Sequence, residues 1–382
     1  MNNSMADTNQ YYERFNLPQS PYFLSHSVGC ISKLSESMLA QNFLEPWKTS
    51  GGNAWGPWLE LIGEFDAALA RLLDADPDDF CPQQNLSSGF TKFLMSLPKP
   101  SAKRNKVLIH PDAFPSMGFV INAMQKMGLE LAYVQPSAPT QQLQMWEESL
   151  NDTIFCALIT HVHSNTGHVS PVSEIVKLCA RKNVYSTVDI AQSAGILPIS
   201  LSSWNADAVF GSCVKWLCGG PGAGFIWTNP NILQRLRPSD VGWFSHEDPF
   251  EMDINSFEYA GTAKRFWGGT PSIAPYAIAL GGIRCITEIG VENILDHNRV
   301  LMRRVLSNSE SVASHAVDIN HIGGTLCLPV KENLVNKLSE ILNKQKIFFD
   351  QRKHVFRLSF HIYNNERECQ ALNDAFAQVS LN

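Results

Sequence analysis

Strands alternating with helices through residue 228 predict an α/β fold, a mostly parallel central sheet with helices on both faces. Three observations carry that expectation. Short apolar runs rich in β-branched and small residues recur at Lys106 to Ile109, Leu129 to Val134, Ile154 to Thr160, Val184 to Asp189 and Asp207 to Ser212. Stretches of helical spacing stand among them, as in Trp58 to Leu73, where Leu61, Phe65, Leu69 and Leu72 fall on one face. Asp189, the HVHSNTG loop from His161 and Lys215 all follow predicted strands directly. Ligands in such sheets bind at the carboxyl ends of strands, so one cleft can contain all three.

A chain of 382 residues can bury a large domain and a smaller attached one. A formal charge of −6 argues against a broad nucleic-acid surface. No apolar run is long enough to span a membrane. The opening MNNSMADTNQYYERF lacks the basic and apolar regions of a secretory leader. The nine cysteines form no CxxC pair, which suits reduced thiols in the cytoplasm better than disulfides or a zinc site.

In chain order, residues 1–20 read as a polar arm, disordered or draped. Tyr22 to Gly29 reads as a short strand running into a turn, and Ser32 to Asn42 as a helix. Lys48 to Trp58, KTSGGNAWGPW, reads as a glycine-rich aromatic loop. Asn85 to Leu97 opens on small hydroxyl residues. A first helical turn offers free N–H groups and a positive dipole end, so Ser87 and Ser88 suit either a phosphate or a helix cap. Phe114, between two prolines in the His110 to Ser116 loop, is a core residue or a ring to stack on a ligand. His161 and His163 share one side of an extended chain, but no acid or cysteine accompanies them and no metal site is expected.

After Gly282 the pattern gives a helix over Ile283 to Ser307 and then a smaller α+β C-terminal domain. Its strands are Gly323 to Leu328 and Phe356 to Tyr363. The expected division is 1–40 as an N-terminal arm bordering the site, 41–282 as the large domain and 283–382 as the small one. Arg357 offers a fork to a carboxylate, or else makes a surface ion pair.

The densest stretch runs from Val184 to Gly222. Lys215 lies between Val214 and Trp216, where desolvation favours the free amine, and such an amine forms Schiff bases. Taken singly, Lys215 could equally snorkel to the surface and Asp189 cap a helix.

D-x-A-Q-S-A-G from Asp189, W-x-x-D from Trp204, the lysine before G-G-P-G, and R-x-S-x-x-x-Y-N from Arg357 together resemble the class V pyridoxal-phosphate enzymes of fold type I. The pattern is closest to kynureninase-like members, with some residues like those of cysteine desulfurases, and it covers about Tyr22 to Tyr363. The resemblance implies pyridoxal 5'-phosphate on Lys215, with Asp189 holding its pyridinium nitrogen protonated. It places Gln192 on the phenolic oxygen, Phe114 on the ring and Ser164 beside the cofactor. Leu86, Ser87 and Ser88 take the phosphate, joined by Trp243 and Thr270 from the other subunit of a homodimer with shared sites. Arg357 takes the α-carboxylate of an amino-acid substrate, with Ser25 and Asn53 also on the substrate side.

Three positions depart from kynureninase. Gln192 stands where it has a histidine, as in desulfurases. Val214 stands where it has a phosphate-binding, proton-transferring tyrosine, and valine can do neither. The 48–58 loop has no histidine. Persulfide-forming desulfurases carry a cysteine in the loop before the arginine, and Lys344 to Val355 holds none. The resemblance implies chemistry through an external aldimine and a quinonoid. Cleavage at the β-carbon by a kynureninase-like lyase or hydrolase is favoured, with transamination, C–S lysis or desulfuration, and epimerisation as alternatives.

Overall fold

The structure is a computed structural model that describes residues 11–134 and 143–380. Its centre is a seven-stranded sheet of β1 (Phe80–Gln83), β2 (Lys106–Ile109), β3 (Glu130–Tyr133), β4 (Ile154–Thr160), β5 (Tyr185–Asp189), β6 (Ala208–Ser212) and β7 (Gly224–Thr228). Their order is β1-β7-β6-β5-β4-β2-β3. Only β7 runs against the others, pairing antiparallel with both β1 and β6. Every residue of β7 is buried, and β4 is nearly so, as strands covered on both faces must be. Pro82 in β1 is tolerated because that strand lies at the sheet edge.

A second, antiparallel sheet holds β8 (Thr325–Pro329), β9 (Asp350–Arg352) and β10 (Val355–Ser359), in the order β8-β10-β9. It packs its own apolar core of Phe23, Leu326, Leu328, Phe356, Leu358 and Phe376. The small core therefore recruits Phe23 from the start of the chain. The mostly parallel α/β expectation holds.

Four local expectations are corrected. The strand over Tyr22 to Gly29 shrinks to a single bridge between Tyr22 and Phe348, because Ser27 and Val28 N–H groups turn back onto the Leu24 carbonyl. Lys48 to Trp58 is helical, with a 3-10 turn over Gly51–Ala54 between helices Glu45–Ser50 and Trp55–Leu73. Gly51, at φ 55, ends the first helix, and Trp58, stacked on Phe43 and met edge-on by Trp47 and Trp55, holds the segment compact. The helix over Ile283 to Ser307 is two, Ala274–Ile289 and Val291–Leu306, parted by Gly290 at φ 89. Residues 1–10 of the expected arm lie outside the described residues, but its remainder is packed: Phe15 is buried edge-on to the His361 and Tyr363 rings.

Burial of histidines in these cores gives an acid-sensitive fold. Burial lowers His161 and His361 to about 4 and His163 to about 3, against 6.5 for an exposed ring. Between those values the unfolded chain binds protons that the folded chain refuses, so stability falls as pH drops from 6.5 towards 4. Each such histidine is expected to cost about 2 kcal/mol between pH 7 and 5. A urea midpoint that is unchanged between those pH values would contradict it.

Candidate active site

Thr160, Asp189 and Ser212 end β4, β5 and β6, three neighbouring parallel strands, and their side chains meet at one cleft. Its volume is ≈ 300 Å³, and Leu86, Ser87, Phe114, Ser164, Gln192 and Lys215 complete the wall. The sheet topology thus brings together the residues that the sequence motifs singled out.

Lys215 is held by its neighbours in the chain. Trp216 is wholly buried, the Cys218 N–H returns to the Lys215 carbonyl at 3.0 Å, and Gly29 N–H donates to the Val214 carbonyl at 2.8 Å. A Cβ on Gly29 would lie 2.1 Å from the Lys215 carbonyl oxygen, so only glycine allows this approach. The Lys215 ammonium nitrogen stands 5.9 Å from the centre of the Phe114 ring. Burial lowers its pKa; Asp189 opposes that shift, and Arg357 and Arg352 add to it.

Asp189 is buried and accepts the Ala191 N–H at 2.8 Å on Oδ1. Burial raises its pKa, while the Ala191 bond and the charge of Lys215 pull it back. Gln192 donates through Nε2 to the His26 carbonyl at 3.1 Å, and neither its buried Oε1 nor the buried hydroxyl of Thr160 has a hydrogen-bond partner among the described residues. Asn85 caps the helix Leu86–Ser96 by accepting the Ser88 N–H at 3.0 Å. Leu86 and Ser87, in the first turn, are the residues that reach the cleft.

Residues 69–372 match the model of the aminotransferase class-V family. The chain belongs to that family. Class V aminotransferases use pyridoxal phosphate, and the residues present fit it. An amine of lowered pKa and a buried carboxylate share the cleft with an aromatic ring, a helix N-terminus and two unpartnered polar atoms.

An uncharacterized aminotransferase, YcbU of Bacillus subtilis, is 26% identical over 94% of this chain and 96% of its own length. A kynureninase of Geobacillus thermodenitrificans is 24% identical over 78% of this chain and 72% of its own. In fold, the apo cysteine desulfurase of Thermococcus onnurineus superposes with a TM-score of 0.86 at 19% identity, covering 99% of both chains. The class V chain therefore has the fold type I architecture.

Several residues lie apart from the cleft. Ser88 and Thr270 share a separate recess of ≈ 240 Å³ with Lys92, Asp240 and Trp267. Trp243 packs edge-on against Trp55, Phe244 and Phe250. Ser25 is fully buried, its hydroxyl 2.7 Å from that of Tyr363, and Asn53 is exposed on the 3-10 turn. His161 bonds Ser193 at 2.9 Å, and His163 meets His110 ring to ring at 4.7 Å; neither lines the cleft. Arg357 is buried behind Ser164, and its guanidinium is already paired with Asp350. Asp350, Thr160 and Ser212 escaped the sequence reading, although the last two end predicted strands, the position where ligands bind.

Proposed function

We propose that this class V enzyme acts on an amino acid by cleaving it at the β-carbon, as a kynureninase-like lyase or hydrolase. The observation that carries the amino-acid reading is the amine of Lys215 in one cleft with the carboxylate of Asp189, with Arg357 behind the cleft wall at Ser164. Pyridoxal phosphate supplies an aldehyde that condenses with amines and a ring that withdraws electrons. Lys215 would hold that aldehyde and would serve as the base towards the substrate α-carbon, a role that its lowered pKa suits. Asp189 would present its carboxylate to the ring nitrogen, Gln192 and Ser164 would line the ring, and Phe114 would pack against it, since all four border the cleft. The Leu86 and Ser87 turn would receive the phosphate, and Arg357, bonded to the Ser164 carbonyl, would receive the substrate carboxylate.

The β-carbon reading is supported by likeness to kynureninases over most of the chain. Transamination is the second reading, favoured by the match to YcbU over nearly its whole length. Homodimerisation with shared sites is supported by the recess that pairs Ser88 with Thr270 apart from Lys215, and by exposed Phe250, Met252 and Ile254 nearby in sequence to Trp243. Nine free cysteines, all buried, suit a reducing cytoplasm.

Product analysis by mass spectrometry tests the reading on amino acids that carry a leaving group at the β-carbon, kynurenine and cystine among them. A lyase releases the side-chain fragment with no second substrate. Turnover that needs a 2-oxo acid and leaves the side chain intact would establish transamination instead.

A further inference from the structure

Asp350 and Arg357 face each other across the β9–β10 ladder. Arg357 donates through both Nε and Nη2 to a single oxygen of Asp350, Oδ2, and through Nη1 to the Ser164 carbonyl at 2.9 Å. All three nitrogens of this buried guanidinium thus contact the protein itself. Arg352 lies two residues along β9 from Asp350 and so on the same face of the sheet. It donates through Nη1 to Asn165 Oδ1 and to Ser164 Oγ at 3.3 Å, and Ser164 lines the cleft.

The two halves of the ion pair are not equally fixed. The Arg357 side chain is 7% exposed and that of Asp350 31%, so the carboxylate borders solvent while the guanidinium is almost shut off from it. His26 borders the same carboxylate: its Nε2 stands 3.7 Å from Asp350 Oδ2, and its Nδ1 lies 3.0 Å from the Ser359 hydroxyl.

We propose that Asp350 is a specificity-determining residue, an internal carboxylate that occupies Arg357 in the resting enzyme and that the substrate carboxylate displaces on binding. The inference rests on the reading that Arg357 receives the substrate carboxylate. Displacement exchanges one carboxylate for another on the same guanidinium, so the α-carboxylate alone contributes little net affinity. An amine without a carboxylate leaves the pair intact. Preference for amino acids over simple amines is therefore suppressed in the wild type, and selection shifts to contacts with the rest of the substrate, Arg352 among them.

The test compares glycine with methylamine, titrated calorimetrically into the holoenzyme of wild type, Asp350→Asn and Asp350→Ser. Asparagine keeps the shape and removes the charge, while serine is too short to reach Arg357; thermal melting checks that both fold. Both variants are expected to bind glycine at least about tenfold more tightly than wild type, with methylamine unchanged. The gain should vanish when Arg357→Lys is added. A wild type that already prefers glycine, with no gain in either variant, would overturn the inference and leave the amino-acid reading standing. If no form distinguishes glycine from methylamine, Arg357 receives no carboxylate and both fall.

Discussion

Lys215→Ala is expected to abolish covalent attachment of the cofactor and with it turnover. Lys215 is the lysine of the cleft, between Asp189 and the Phe114 ring, in a turn fixed by Trp216 and Gly29. In the wild type, borohydride should fix the cofactor on the peptide that contains Lys215, and mass spectrometry should find it there. The variant should keep no such adduct, and its rate should fall by at least about a thousandfold, as expected when one group serves as both nucleophile and base. The fold should survive, because the amine makes no hydrogen bond among the described residues. An adduct on a different lysine would overturn the assignment.

Asp189→Asn has the second largest expected effect. The change is isosteric, and the amide oxygen can still accept the Ala191 N–H now bound at 2.8 Å. What it removes is the buried carboxylate that, on the proposed reading, faces the cofactor ring. Stripping one partner from a buried pair costs about 3 kcal/mol or more, so catalytic efficiency should drop by at least about a hundredfold. The bound cofactor should also lose the absorbance of its ring-protonated form. Full activity with an unaltered spectrum would show that Asp189 serves only to cap the turn at Ala191.

The place of the cleft is legible because strand periodicity marks where the strands end, although it does not single out Thr160 or Ser212. Asp189, Ser212 and Thr160 sit where parallel strands end, and all three strands match their expected limits to within one residue. The glycine-rich turn after Lys215 announced itself by composition. Lys48 to Trp58 was misread because propensity penalises Gly51 and Gly52, while the decisive stacking of Phe43 on Trp58 is a contact across fifteen residues. Ser87 and Ser88 are adjacent in sequence yet open into different recesses, since successive residues on a helix point about 100° apart. The pairing of Asp350 with Arg357 depends on the turn between β9 and β10 setting the register, which a string of residue types does not specify.

The early segment from Tyr22 to Gly29 stitches the two halves of the site together. Gln192 bonds the His26 carbonyl, the His26 N–H donates to Ser359 Oγ at 3.2 Å, and Ser25 meets the Tyr363 hydroxyl at 2.7 Å. These last two contacts span 333 and 338 residues. At ribosomal speeds of about 5–20 residues per second, this segment waits roughly 15 to 70 s between its own synthesis and that of its partners. The sheet that carries Asp189 and Lys215 is complete long before. A nascent chain can therefore assemble its cofactor cradle while the substrate side is still missing, and the segment spends that interval with Phe23, a core residue of the small sheet, exposed to chaperones.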